Sequence, residues 1–193
     1  MSKIKLTFPV IIMLMMSSCA HKITRIDPSK QIDLSGRWND TDSKLVADEM
    51  IKDALQRPWS GNFTAKANRK PAVIVGSIKN KTDEHIDPNI FIKNLEIAFI
   101  NSDNISVVQS GAQRNELRDE RNDQQQFSSE ETRKQWGKEK GADFMLNGVI
   151  SSIIDQYKNQ KTVTYQINIE LTDLETNEKV WIGEKQIKKF IKN

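Results

Sequence analysis

The sequence predicts a single α/β domain in which helices flank one mixed β-sheet. Three observations indicate this fold class. Residues 72–108 carry a strand, helix, strand pattern, which is typical of two parallel strands joined by a crossover helix. Residues 162–172 alternate strictly between apolar and polar side chains, as in an antiparallel strand with one buried face. Further apolar stretches at 143–155 and 180–189 supply the neighbouring strands.

The first element is predicted to be a helix over residues 42–56. Apolar side chains recur there at the spacing of a helix with one buried face, and Pro58 follows its end. The polar residues 60–71 are then expected to form a loop. The predicted buried stripe of the helix comprises Leu45, Val46, Met50, Ala54 and Leu55.

A βαβ unit is predicted next. Residues 72–78 form a continuous apolar run, which favours a strand covered on both faces. A helix from Pro88 to Asn101 and a short strand at 105–108 complete the unit, because proline suits the first turn of a helix. The predicted buried side of this helix comprises Ile90, Phe91, Asn94, Leu95, Ala98 and Phe99.

The rest of the chain is predicted to contain two polar helices within residues 111–141, followed by three strands. These strands are expected at 143–155, 162–172 and 180–189. The apolar side chains of the central strand together contribute on the order of 10 kcal/mol when buried, before the entropy cost of folding. They are Val163, Tyr165, Ile167, Ile169 and Leu171.

The amino-terminal segment has the pattern of a bacterial lipoprotein leader. Two lysines precede residues 6–16, which are apolar except for one threonine. This run has the length of a signal-peptide core and is too short to span a bilayer. Met16-Ser17-Ser18-Cys19 then resembles a lipobox, so we expect cleavage after Ser18 and acylation of Cys19, the only cysteine. The alternative is an ordinary secretory leader that leaves a free thiol.

The chain therefore divides into a signal peptide (1–18), a lipid anchor with a flexible tether (19–34), and the α/β domain (35–193). The tether has a root-mean-square reach of about 20 Å, so we expect the domain close to its membrane. Ala20 follows the cysteine, where aspartate retains enterobacterial lipoproteins in the inner membrane. We therefore expect the outer membrane, with the domain facing the periplasm.

Charge and motif content exclude several functions. The net charge of +3 falls to +1 when the two leader lysines are removed, so there is no electrostatic reason to expect nucleic-acid binding. The sequence contains no nucleophile elbow, P-loop or zinc-ligand spacing. His85 lies near Asp83, Glu84 and Asp87, but neighbouring residues of one loop rarely converge on a metal ion. We expect no enzymatic activity, cofactor, metal or small-molecule substrate.

The four tryptophans are interpreted mainly as packing residues. Trp136 and Trp181 are expected in the core or against the sheet. Trp38 and Trp59 lie on either side of the first helix, and packing is favoured for both. Contact with a partner protein is the alternative for this second pair, because exposed aromatic side chains are good interface anchors.

Four segments form a family pattern: DLSGRWNDTDSKLVADEMI, PAVIVGSIKNKTDEHID, GADFMLNGVISS and YQINIELTDLETNEKVWIGEKQIKK. Together they resemble the LpoB-type lipoproteins, which activate penicillin-binding proteins. The resemblance implies a non-enzymatic α/β domain similar to the N-terminal domain of TolB. It also implies a position on the inner face of the outer membrane and direct stimulation of a bifunctional peptidoglycan synthase. Enterobacterial members have a long proline-rich segment before the domain, whereas this chain has about 15 residues with one proline.

Two polar loops are the candidate contact surface for such a partner, because they contribute little obvious core. The candidate partner-binding residues are Arg37, Trp38, Asn39, Asn80, Thr82, Glu84 and His85.

Two other functions stay open as alternatives. One is a structural or assembly role in the envelope, as in the curli secretion lipoprotein, and the other is a cell-wall hydrolase.

Overall fold

The computed structural model describes residues 23–28 and 30–192. The chain divides into two compact units, residues 1–31 and 32–193, and the second contains the helices and strands given below. The predicted signal peptide and Cys19 lie outside the described residues. Among the helices that the structure describes, none has the length and apolar character needed to cross a membrane.

Four helices and five strands make up the described domain. Two helices precede the first strand, and the last three strands follow one another directly. The helices are α1 (Asp40–Gln56), α2 (Trp59–Ala67), α3 (Pro88–Asn101) and α4 (Gly111–Phe127). The strands are β1 (Ala72–Asn80), β2 (Ser106–Val108), β3 (Phe144–Tyr157), β4 (Gln160–Asp173) and β5 (Lys179–Lys192).

The strands form one mixed sheet in the order β2-β1-β3-β4-β5. β1 runs parallel to β2 and β3, whereas β4 is antiparallel to β3 and β5. The parallel β1–α3–β2 unit and the antiparallel carboxyl-terminal strands confirm the predicted fold class. Between Val75 and Ile78 the register shifts and β1 bulges, and there the Ser77 N–H donates to Asn147 Oδ1 at 3.2 Å.

The core lies between the sheet and helices α1 and α3. α1 packs against α3 and β5, and α3 packs against β1 and β2. All five alternating apolar side chains of β4 are buried, as predicted, and the polar side chains between them stay partly exposed. β4 therefore has one dry face and one solvated face. The helices contribute Val46, Met50, Phe91, Leu95 and Phe99 to the core.

Helix α1 begins two residues before its predicted start, at Asp40. Asn39 Oδ1 accepts from the Asp42 N–H at 3.1 Å, and Asp42 Oδ2 accepts from the Asn39 N–H at 2.9 Å. This reciprocal pair is a capping box, which satisfies two backbone donors that would otherwise lack acceptors. The acidic side chains of Asp40 and Asp42 also suit the positive end of the helix dipole.

The polar stretch predicted as a loop, residues 60–71, contains most of helix α2. Trp59 begins this helix, is buried as favoured from the sequence, and donates from Nε1 to the Ala54 carbonyl oxygen at 2.8 Å. One turn later Phe63 meets Phe144 edge to face, with 5.4 Å between the ring centroids. The loop prediction was wrong because two aromatic anchors are enough to hold an otherwise polar helix on the domain.

Residues 111–141 contain one helix, and the prediction of two was wrong. After α4 ends, residues 128–142 follow turns and irregular backbone. This segment folds back on α4, because the Glu139 carboxylate accepts from Arg118 Nε at 3.0 Å and from Arg121 Nη1 at 2.6 Å. The hydrogen bonds from these two guanidinium groups lower the pKa of Glu139 to about 2. Trp136 is 55% exposed, which corrects the prediction that it packs in the core.

Two side chains predicted on buried helix stripes are exposed, Leu45 of α1 and Ile90 of α3. Each lies about 100° around its helix from the next residue, which is buried. The buried stripes are therefore narrower than predicted and follow a four-residue spacing. Trp181 of β5 is buried as predicted, and its Nε1 donates to Asp53 Oδ2 at 2.7 Å.

Asp143 joins three parts of the domain just before β3. Its carboxylate accepts two hydrogen bonds of 2.7 Å from the Arg69 guanidinium and one of 2.7 Å from the Ala72 N–H. Its own N–H donates to the Ala72 carbonyl oxygen, and its carbonyl oxygen accepts from Leu174 in the β4–β5 turn. The hydrogen bonds from Arg69 are the main reason why the pKa of Asp143 lies below its usual range.

We expect Asp143→Asn to lower the free energy of unfolding at pH 7 by about 1–3 kcal/mol, because charge-assisted hydrogen bonds are lost. A carboxyl group with a lowered native pKa stabilises the fold above its unfolded pKa of about 4. That stabilisation is lost as the pH falls through the native pKa. The difference between wild type and variant should therefore shrink below about pH 4 in urea unfolding curves.

Asp103→Asn is the matched control for this experiment. Asp103 pairs with Lys70 at 2.6 Å, but its side chain is almost fully exposed. Exposed pairs contribute little to stability, so this variant should unfold nearly as the wild type does. An equal loss of stability in both variants would contradict the role assigned to Asp143.

Candidate partner-binding surface

The two predicted contact loops lie side by side in the fold. We call residues 33–39 the entry segment and residues 80–87 the β1–α3 loop. Glu84 of the loop joins them, because its Oε2 accepts from the Trp38 N–H at 3.0 Å. The structure therefore brings all seven candidate residues together on one surface, which we call the Glu84 surface: Arg37, Trp38, Asn39, Asn80, Thr82, Glu84 and His85.

The Glu84 carboxylate also reaches the core of the domain. Its Oε1 accepts from the Tyr165 hydroxyl at 2.6 Å, and Tyr165 is fully buried in the middle of β4. Burial and the adjacent carboxylate raise the pKa of Tyr165, so the phenol stays protonated and donates. The Trp38 indole packs edge to face on the Tyr165 ring, with 5.3 Å between the ring centroids. Trp38 is thus half-buried and packs on the sheet, as favoured from the sequence.

Asn80 and Thr82 shape the β1–α3 loop from within. Asn80 Oδ1 accepts from the Thr82 N–H at 2.9 Å and from the Thr82 hydroxyl at 2.8 Å. Asn80 Nδ2 donates to the Glu84 carbonyl oxygen at 2.8 Å, and the Glu84 N–H donates to the Thr82 hydroxyl oxygen at 3.2 Å. Short polar side chains commonly satisfy loop backbone in this way. Their part in the surface is to position Glu84 and the neighbouring His85.

Lys189 of β5 ties the entry segment to the sheet. Its ammonium group donates to Asp33 Oδ1 at 2.6 Å and to the Arg37 carbonyl oxygen at 2.9 Å, and it lies 2.6 Å from Asp42 Oδ2. Burial alone would lower the pKa of Lys189, but the hydrogen bonds to the two carboxylates outweigh it and raise the pKa. Asn39 Nδ2 donates to the same Asp33 oxygen at 2.6 Å, so both ends of the segment are held.

Arg37 and His85 are the candidates with exposed and unengaged side chains. Within the part of the chain that the structure describes, neither side chain forms a hydrogen bond or an ion pair. The backbone around each is fixed by the hydrogen bonds of Lys189, Asn80 and Thr82. Because little ordering is then needed on binding, the surface is suited to contact with another protein.

The same residues do not form a metal site. Glu84 uses both carboxylate oxygens on donors of the chain itself, and Asp87 caps α3 by accepting from the Asn89 N–H at 2.9 Å. Among residues 23–28 and 30–192, no group of three or more His, Cys, Asp or Glu side chains is arranged to hold a metal ion.

Sequence reasoning missed two residues of this surface, Tyr165 and Lys189. Tyr165 was placed correctly on the buried face of β4, and a buried hydroxyl needs a hydrogen-bond partner. That requirement was the available signal. Lys189 carried no such signal, because it lies 156 residues from Asp33 in the sequence.

The sequence of the chain matches the family described as peptidoglycan-synthase activator LpoB over residues 42–187. The matched range is well over half of the chain and includes Thr82, Glu84 and Tyr165. The chain belongs to the LpoB family. Members are regulatory activators, and the family resemblance inferred from the four sequence segments is confirmed. Comparison with curated protein sequences finds no match.

Solved structures of LpoB domains are similar to this chain at low sequence identity. The LpoB C-terminal domain from Salmonella enterica is 16% identical with a TM-score of 0.43, covering 76% of this chain and 98% of that chain. The NMR structure of Escherichia coli LpoB is 16% identical with a TM-score of 0.41, covering 91% and 83%. Lipoprotein GNA1162 from Neisseria meningitidis is 11% identical with a TM-score of 0.38, covering 62% and 83%.

Replacing Glu84 by alanine should lower the free energy of unfolding by about 1–3 kcal/mol, because the buried Tyr165 hydroxyl and the Trp38 N–H lose their acceptor. Tyr165→Phe should lower the free energy of unfolding by about 1 kcal/mol. The double variant should lower it by less than the sum of the two single effects, since both substitutions remove the same hydrogen bond. Urea unfolding of the four proteins measures this coupling.

Arg37→Ala and His85→Ala are the controls for this cycle, because both side chains are exposed. Each should leave the free energy of unfolding unchanged within about 0.5 kcal/mol. Strictly additive effects at Glu84 and Tyr165 would show that their hydrogen bond does not stabilise the fold.

Proposed function

We propose that this protein is a lipid-anchored periplasmic module that stimulates a bifunctional penicillin-binding protein by direct contact. The observation that carries the proposal is the match to the LpoB activator family over residues 42–187, which runs from α1 into β5. The family supplies the class of partner, a peptidoglycan synthase. The Glu84 surface supplies a place on the domain for the contact.

Two physical properties of the Glu84 surface support this role. Its backbone is held by hydrogen bonds, so docking costs little ordering of loops. Arg37 is exposed, and arginine is enriched among the residues that dominate binding energy. A module that binds the active conformation of its partner more tightly shifts the partner toward that conformation, typically with 1–3 kcal/mol of coupling. No chemical step by the module itself is needed.

The proposal includes the organisation of the chain and its place in the cell. Residues 1–18 are the signal peptide, 19–34 the anchor and tether, and 35–193 the binding domain. Family membership and the lipobox-like sequence ending at Cys19 support anchoring in the outer membrane with the domain in the periplasm. A compact unit that begins at Ile32 supports a domain boundary near residue 35.

The purified mature protein should raise the rate of glycan polymerisation by its cognate bifunctional synthase. Arg37→Ala and His85→Ala should each raise the activator concentration needed for half-maximal stimulation by about tenfold. Truncating a dominant interface side chain costs more than about 1 kcal/mol of binding energy. Polymerisation of lipid-linked precursor is followed against activator concentration.

Lys66→Ala is the matched control, because Lys66 is exposed on α2. α2 packs on Phe144, about 25 Å along β3 from the row that contains Tyr165. This variant should stimulate as the wild type does. Absence of stimulation with every bifunctional synthase of the source organism would refute the proposed function. Normal stimulation by the Arg37 and His85 variants would refute only the assignment of the contact residues.

The mature amino terminus should be Cys19 carrying fatty acyl chains. Cys19→Ser should abolish the modification and release the protein from membranes after a high-salt wash, which screens any remaining charge attraction. Mass spectrometry of the detergent-extracted protein measures both the cleavage site and the added mass. An unmodified terminus at another residue would contradict the anchor.

A further inference from the structure

The three carboxyl-terminal strands project beyond the parallel part of the sheet. The pairing of β1 with β3 ends at Asn80 and Ile150, whereas β3 continues to Tyr157 paired with β4. β5 accompanies β4 over the same length and ends at Lys192. The projection is therefore a three-stranded antiparallel extension that ends at the β3–β4 turn.

One face of the projection is exposed and partly apolar. Residues directly opposite one another on neighbouring strands share a face. Ile153, Tyr157 and Phe190 share the face opposite the helices and are 67%, 72% and 63% exposed. The rows on this face are Ile153–Thr164–Lys188, Asp155–Thr162–Phe190 and Tyr157–Gln160–Lys192. We define the outer tip as Ile153, Tyr157, Lys158, Lys188, Phe190 and Lys192.

The outer tip is also basic. The Lys158 ammonium lies 5.1 Å from the centroid of the Tyr157 ring, and the side chains of Lys158, Lys188 and Lys192 are exposed. Within the described residues, none of these three lysines pairs with a carboxylate. Asp155 supplies the single acidic side chain of the three rows. Aromatic and aliphatic side chains thus alternate with unpaired positive charge.

The entry segment lies against part of the opposite face of the projection, where Ile154 is still 43% exposed. Asp33 is held by Lys189, and Gly36, with φ +67°, lies against Ile191. A Cβ added at Gly36 would lie 2.5 Å from Ile191 Cγ1, so the backbone of the entry segment packs closely on the Ile191 side chain. Lys189 is three residues from Lys192, which corresponds to about 10 Å along a strand. The chain therefore enters the domain about 10 Å from the end of the projection.

This point of entry is at the end of the domain that carries the outer tip. Cys19 precedes Asp33 by 14 residues, and a flexible segment of that length has a root-mean-square reach of about 20 Å. Phe144, at the other end of β3, is about 45 Å along the strand from Tyr157. The outer tip therefore lies at the end of the domain where the anchored chain enters, and Phe144 lies at the far end.

We infer that the outer tip binds the anionic phospholipid surface of the membrane that carries the lipid anchor. Lysine side chains are attracted to anionic headgroups within a Debye length, and aromatic side chains favour the membrane–water interface. This inference rests on the proposed anchoring at Cys19 and adds to it a second membrane contact. The acyl chains hold the protein on the membrane, and the outer tip fixes the orientation of the domain.

The test uses residues 19–193 with Cys19→Ser, so that no acyl chain contributes to binding. A sedimentation assay measures the partition coefficient of the protein on two kinds of vesicle. One contains phosphatidylethanolamine and phosphatidylglycerol at a molar ratio of about three to one, and the other contains phosphatidylcholine alone. We expect a partition coefficient at least about tenfold higher for the anionic vesicles, falling as salt is raised. Equal partition into both kinds of vesicle, or into neither, would overturn the inference.

The tip variant carries Lys158→Gln, Lys188→Gln and Lys192→Gln. Its partition coefficient on anionic vesicles should fall by about tenfold or more, because three surface charges are removed. Phe190→Ala leaves the charge unchanged and should also weaken binding, through the loss of interfacial contact. Thermal unfolding of each variant establishes that the domain is folded.

A control variant carries Lys52→Gln, Lys66→Gln and Lys138→Gln, which removes the same charge from exposed positions outside the outer tip. Its partition coefficient should stay within about twofold of the parent. An equal loss in the tip and control variants would show that only net charge matters and would overturn the assignment to the tip.

A parallel assay of synthase stimulation separates this inference from the proposed function. Normal vesicle binding by the tip variant together with lost stimulation would make the tip a protein contact, which overturns the membrane assignment and leaves the activator function standing. Tip-dependent vesicle binding without stimulation by any form of the protein would support the membrane contact and refute the activator function.

Discussion

The hydrogen bond from the buried Tyr165 phenol to the Glu84 carboxylate is the interaction on which the Glu84 surface depends. It connects the middle of the central strand to the β1–α3 loop, and the second carboxylate oxygen extends the connection to Trp38. Such a network is stronger inside a protein than at a fully solvated surface, because the surroundings screen it less. Two loops that are distant in sequence thereby share one rigid support.

The sheet could be predicted because its strands follow simple apolar patterns. β4 keeps a two-residue period over its whole core-facing side, and β1 begins with an unbroken apolar run. α2 could not be predicted in the same way, since only Trp59 and Phe63 anchor it and its other residues are polar or small. Residues 128–142 have a composition typical of a solvated helix, and their backbone is instead held by contacts with α4 that no local pattern encodes.

The candidate residues were chosen from the sequence, but the structural roles of most of them were not predicted. Asn39, Asn80 and Thr82 are residue types that bond to nearby backbone, and here each of them caps a helix or shapes a loop. Glu84 connects the loops because of a tyrosine in β4, 81 residues away. Arg37 and His85 keep the exposure expected of contact residues, since the polar residues around them satisfy the backbone.

The three carboxyl-terminal strands, each of 14 residues, give the domain a stiff axis. Each strand spans about 45 Å, and a flexible linker would need roughly 65 residues to reach that distance on average. The end of such a linker samples a wide volume, which lowers the effective concentration of any group attached to it. A paired ribbon instead holds Asp143 and the β4–β5 turn at a constant distance from Lys158. A group placed at one end of the sheet is therefore kept at a defined separation from the other end.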